Sequence, residues 1–65
     1  MEKYEAVQAA LEFLGYIEGE IDGDAITVIP SLGKDGESLD GYIVKLPTSE
    51  VVFVTIDFEC SMLYR

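Results

Sequence analysis

Residues 51–60 read VVFVTIDFEC, and the division of this stretch between two faces decides the fold. Its alternate residues Val52, Val54, Ile56, Phe58 and Cys60 are all apolar, the period-2 pattern of a strand with one buried face. The other set, Val51, Phe53, Thr55, Asp57 and Glu59, is apolar at its start and acidic at its end. One long strand is expected here, with an outer face that changes character along its length.

Working upstream, GYIVKL (41–46) pairs with this strand around PTSE. A two-residue loop at Thr48-Ser49 would set Lys45 beside Val52 on the apolar face. A three-residue loop, 48–50, instead aligns Tyr42, Val44 and Leu46 with Val52, Val54 and Ile56. A slip of one residue moves every side chain to the other face, so the option that buries no lysine is preferred. Its left-handed position lacks the usual glycine.

Residues 31–40, SLGKDGESLD, form a polar, glycine-bearing loop. Before it, YIEGEI and AITVIP flank DGD, a hairpin signal. Whether the loop is Asp22-Gly23 or Gly23-Asp24, Ile17, Ile21, Ile26 and Val28 share one face, and Tyr16, Glu18, Glu20, Thr27 and Ile29 the other. Residues 2–14, EKYEAVQAALEFL, read as an amphipathic helix with Tyr4, Val7, Leu11 and Leu14 on one stripe, flanked by Ala10. Phe13 lies off that stripe and is expected at the edge of the core. Gly15 suits a left-handed cap, and Glu2 and Glu5 favour the positive end of the helix dipole. The tail, 61–65, either extends the last strand or packs as a short segment.

The pattern predicts an α+β fold in two layers: one N-terminal helix on a four-stranded antiparallel sheet built from two hairpins. The whole chain, 1–65, reads as one domain: helix 2–14, hairpin 16–30, loop 31–40, hairpin 41–60 and tail 61–65. At 65 residues the core is thin, and burial offsets chain entropy by only a small margin. No apolar run approaches the ~18 residues that suggest a membrane span, and no signal-peptide pattern opens the chain. A cytoplasmic protein is expected, in the host bacterial cytoplasm if the gene is phage-borne.

Thirteen acids face four bases, a formal net charge of −9. Direct nucleic-acid binding needs clustered Lys and Arg and is excluded on this balance, and an anionic membrane is disfavoured for the same reason. A basic partner is the natural complement. The single cysteine, Cys60, excludes an internal disulfide and reads as a small core residue. The chain has no histidine, so Ser-His and Cys-His pairs are absent, and no structural zinc set exists. EIDGDAITV carries the alternate acids that open a calcium loop, but Ala25 stands where glycine is needed and Ser31 where a bidentate glutamate belongs. GKDGES lacks the glycine and Lys-Ser/Thr pair of a phosphate loop. No catalytic site, metal or cofactor is expected.

With a helix over one side of the sheet, the other side would collect Tyr16, Glu18, Glu20, Thr27, Ile29, Ile43, Lys45, Val51, Phe53, Thr55, Asp57 and Glu59. Two acidic pairs would stand about 6.6 Å apart along their strands, near-phosphate intervals, beside more apolar area than a solvated sheet carries. Glu18, Glu20, Asp57 and Glu59, with Tyr16 and Phe53, are the candidate partner-binding residues.

In size, in the acid-rich strands YIEGEIDGD and TIDFE, and in its compact α+β layout, the chain resembles small acidic phage-encoded inhibitors of bacterial defence enzymes, anti-CRISPR proteins among them. The class shares no diagnostic motif. The resemblance implies steric and electrostatic occlusion of a nucleic-acid-binding effector by a DNA mimic. The competing expectation is a self-associating structural or adaptor domain, a homodimer through the open sheet face.

Overall fold

The computed structural model describes residues 1–64. It contains helix α1 (Lys3–Leu14), a short 3-10 turn (Gly23–Ala25) and strands β1 (Thr27–Leu32), β2 (Leu39–Lys45), β3 (Val51–Thr55) and β4 (Cys60–Tyr64). The strands form one antiparallel sheet in the order β1-β2-β3-β4, and α1 packs over β2, β3 and β4. The α+β class, the N-terminal helix and the four-stranded sheet are as the sequence predicts. One expected strand is absent, the last is shorter than expected, and β4 is formed by the tail.

The helix starts where Glu5 accepts a hydrogen bond from the Glu2 backbone N–H at 2.8 Å. It ends at Gly15, whose φ of 86° is open to glycine at little cost. There the Gly15 N–H meets the Glu12 carbonyl and the Tyr16 N–H meets the Leu11 carbonyl, the paired closure that satisfies the last carbonyls. The buried line is Ala6 and Ala10, both fully covered, while Val7, Leu11 and Leu14 flank it half-buried and Tyr4 is 65% exposed. Small residues at the crossing let the helix axis lie close to the sheet, which moves the contact stripe off Tyr4. Phe13, expected at the core edge, is 48% exposed.

Beneath Ala6 and Ala10 lie Tyr42, Val44, Leu46, Val52 and Val54, the alternate residues of β2 and β3. Full burial of Val44, Val52 and Val54 contributes about 1.5–3 kcal/mol for each side chain. The β2–β3 register pairs Tyr42 with Val54 and Val44 with Val52, the face assignment expected from the three-residue option. The loop itself sits one residue earlier. Leu46 donates to the Glu50 carbonyl, Ser49 donates to the Leu46 carbonyl, and Ser49 takes the left-handed position at φ 80°. Two further bonds tie the layers: Tyr42 Oη donates to the Met1 carbonyl at 3.3 Å, and the Cys60 thiol donates to the Ala9 carbonyl at 3.6 Å.

The expected hairpin over 16–30 is corrected. Residues 16–22 contain no strand. Glu20 donates to the Ile17 carbonyl across a turn with Gly19 at φ 84°, and the Glu20 carboxylate accepts the Ile17 N–H at 3.0 Å. The DGD segment is no hairpin loop either. The Asp22 carboxylate accepts the Asp24 N–H at 3.0 Å and opens the 3-10 turn instead. Side-chain bonds of this kind compete with strand pairing, and here they prevail. Ile21 and Ile26 still reach the core and extend it towards Val28, whereas Ile17 is 73% exposed.

The long strand over 51–60 is corrected too. It stops at Thr55, whose hydroxyl accepts the N–H groups of Asp57 (3.2 Å) and Glu59 (3.1 Å). Phe58 donates to the Thr55 carbonyl and Thr55 donates to the Glu59 carbonyl, so the chain turns back and the tail becomes β4. The segments LPTSE (46–50) and TIDFE (55–59) therefore fold as the same five-residue hairpin turn. Each closes on a glutamate and holds a non-glycine residue, Ser49 or Phe58, in the left-handed region.

Candidate functional site

The turn joining β3 to β4 gathers Ile56, Asp57, Phe58 and Glu59, the second half of the 51–60 stretch. Because Gly41 pairs with Thr55, this turn lies at the end of the sheet where β2 begins, and Ile56 donates to the Asp40 carbonyl at 3.2 Å. The loop between β1 and β2, carrying Lys34, Asp35 and Glu37, belongs to the same end. Asp35, Glu37, Asp40, Asp57 and Glu59 thus share one end of the molecule with a single lysine. Among them stand Ile56 (49% exposed) and Phe58 (51% exposed), apolar groups with little cover.

Phe58 is held at φ 65°, where an L residue with a large side chain costs about 1–2 kcal/mol. It faces an open cleft of about 610 Å³ between the turn and one flank of α1, lined by Glu5, Gln8, Ala9, Glu12, Phe13, Phe58 and Cys60. Two phenyl rings with two helix carboxylates make this cleft receptive to a flat cation, which binds ring faces and carboxylates together. Burial raises the Cys60 thiol above the usual range, so at neutral pH it stays protonated and acts as lining.

Asp35 organises the neighbouring loop. Its carboxylate accepts the Ser38 hydroxyl at 2.6 Å and the backbone N–H groups of Ser38 and Glu37, each at 2.9 Å. The Ser38 bonds, followed by the Glu37 backbone bond, lower its pKa to about 2, since each favours the ionised form.

The expected site residues do not come together as one surface. Phe53 is on the outer face of β3, paired with Ile43 and Ser61, and is half-buried. Asp57 and Glu59 are exposed on the turn rather than on a strand. Tyr16 is half-buried against the core, its hydroxyl donating to the Glu50 carboxylate, which also accepts the Thr48 hydroxyl at 2.7 Å. That bond to Glu50, then burial, raises the tyrosine pKa. Glu50 closes the β2–β3 turn, so Tyr16 is anchored at the end of the sheet away from Asp57. Glu18 and Glu20 follow it within the 17–20 turn, exposed and off the sheet. The strand axis between the two ends, from Val51 to Thr55, is about 14 Å long at 3.4 Å per residue.

Asp40 is the one carboxylate on any strand of the described residues. The expectation of acids ranked along the sheet's open face is therefore overturned. Acids occupy the ends, and the face between them carries Ile29, Ile43, Val51 and Phe53 among Thr27, Ser31, Lys45, Thr55 and Ser61. Ile56, Phe58 and Asp40 are the residues the sequence reading misses.

Among the described residues no three Cys, Asp or Glu side chains converge where a metal ion could be held, and no helix is long and apolar enough to cross a membrane. No family model, curated protein or solved structure matches the chain.

Proposed function

We propose that this protein is a non-enzymatic inhibitor that docks on the basic surface of a nucleic-acid-binding protein, such as a CRISPR effector, and keeps nucleic acid from it. The observation that carries the reading is the β3–β4 end of the sheet, where Ile56 and Phe58 stand exposed among Asp40, Asp57 and Glu59. A groove built for phosphate presents Lys and Arg, and these bind carboxylates with charge-assisted bonds whatever the source of the negative charge. An apolar centre with a charged surround is also how many protein interfaces are built. Phe58 and Phe13 would receive an arginine side chain, with Glu5 and Glu12 at its rim. The net charge of −9 steers such a partner from a distance.

The test is capture followed by competition. Immobilised protein is incubated with bacterial lysate at low salt, and the retained proteins are challenged with duplex DNA or RNA. The expected result is retention of a nucleic-acid-binding protein, its release by added nucleic acid, and its loss when Asp57→Lys and Glu59→Lys are combined. Retained proteins that nucleic acid does not displace would defeat the occlusion reading.

A further inference from the structure

The outer face of the sheet is a different surface from the acid end, and we propose that it is the contact face of a homodimer, with a second copy of this chain packed sheet against sheet. Its central row runs Ile29–Ile43–Phe53, with Val51 and Tyr64 in the next row and Lys45 as its one charge. Ile29 is 39% and Tyr64 64% exposed, while Ile43, Val51 and Phe53 between them are half-buried.

Three arguments select a second copy as the occupant. The first is charge. A protein carrying −9 repels its own copy wherever carboxylates face each other. Apart from Asp40 at the bulged start of β2, the four strands carry no carboxylate, so the body of this face is where two copies can approach with the least of that penalty.

The second is the state of the edges. β1 carries Pro30, which cannot donate to a ladder, and β4 is bulged so that Tyr64 rather than Leu63 stands opposite Val51. Both devices discourage edge-to-edge pairing and leave the face as the route to association.

The third is complementarity under a two-fold axis. Face-to-face sheets related by an axis across the strands bring Lys45 of one copy over the start of β2 in the other, because the axis reverses each strand upon itself. The lone base then approaches Asp40 and the adjoining β3–β4 turn with Asp57 at the rim, while Phe53 lies near the axis.

Size sets the strength. Four strands spaced about 4.8 Å apart and five residues long project roughly 300 Å² per copy. That is small beside a standard interface, so a weak, reversible dimer is expected rather than a permanent one. Salt separates this proposal from the inhibitor reading, on which it does not depend. Screening relieves repulsion between two acidic copies and strengthens the dimer, whereas it weakens binding to a basic partner.

The test is sedimentation equilibrium of the full chain from about 5 µM to 1 mM, at low and moderate salt. Expected are a reversible monomer–dimer equilibrium that tightens with salt, at least about tenfold weakening by Phe53→Asp, and about threefold to tenfold weakening by Lys45→Glu. Far-UV circular dichroism identifies any variant that has lost its fold. Mixing Lys45→Glu with a separate Asp57→Lys chain should restore association as a heterodimer. A monomer at every concentration, or a dimer indifferent to both Phe53→Asp and Lys45→Glu, overturns the proposal.

Discussion

Phe58 carries a conformational penalty that a glycine at the same place would not. Its backbone is left-handed and its ring is half exposed, so burial returns only part of the cost. Replacing it by glycine relieves about 1–2 kcal/mol of strain, adds about 0.5–1 kcal/mol of chain entropy to be lost on folding, and gives up about 1 kcal/mol of burial of the half-covered ring. Phe58→Gly should therefore leave the stability within about 1 kcal/mol of the native chain, read as a melting-temperature change of a few degrees at most. The same change should weaken retention of a basic partner, because the cleft loses one of its two rings. An equally retained variant would remove Phe58 from the site. Asp35 makes a separate prediction. Its folded pKa of about 2 lies below the ordinary aspartate value of 3.8, so its contribution to stability is complete above pH ~4 and vanishes as pH falls through about 2. Carbon-detected NMR titration should find this carboxylate the last to protonate within the 33–38 loop, and Asp35→Asn should flatten the acid limb of the unfolding curve.

At the scale of elements, two copies of one turn shape the sheet. In the second copy, the Thr55 hydroxyl holds the Asp57 and Glu59 N–H groups. Both groups are exposed and can turn to water, so Thr55→Val should cost only about 1 kcal/mol in a denaturant melt. Faster amide exchange should follow at Asp57 and Glu59, without change in the β2–β3 core. Amide exchange that stays slow there would mean that the hydroxyl does not organise the turn. The helix, with Glu2 before it and Gly15 after it, was legible because period and caps agree. The face assignment of β2 and β3 was legible because one register buries Lys45 and the other does not. What remained hidden was local. Ile56 and Phe58 keep the alternation of a strand, yet a threonine hydroxyl bends the chain before they can pair. Ile17 and Ile21 alternate as well, but Gly19 and the Glu20 carboxylate close a turn between them, and the Asp22 carboxylate closes another just after Ile21. Periodicity reports which residues are apolar, and short-range side-chain bonds decide whether the backbone extends.

Taken whole, the molecule separates charge from apolar contact. Its acids stand at the ends and along the exposed side of α1, while the outer sheet face between the ends is nearly uncharged. The candidate site was legible in composition, as carboxylates beside aromatic rings, but not in place. Glu18 and Glu20 were ranked with Asp57 and Glu59 by strand parity, and the loss of the first hairpin sets them at the other end. The account rests on the β3–β4 end as the part that meets a basic partner. The most direct measurement is the affinity of the captured target across a salt series, for the native chain and for the Asp57→Lys/Glu59→Lys variant. Screening and steering predict a loss of affinity with salt for the native chain, and a weaker, flatter dependence with slower association for the variant. Superimposable salt curves for the two proteins would contradict the account.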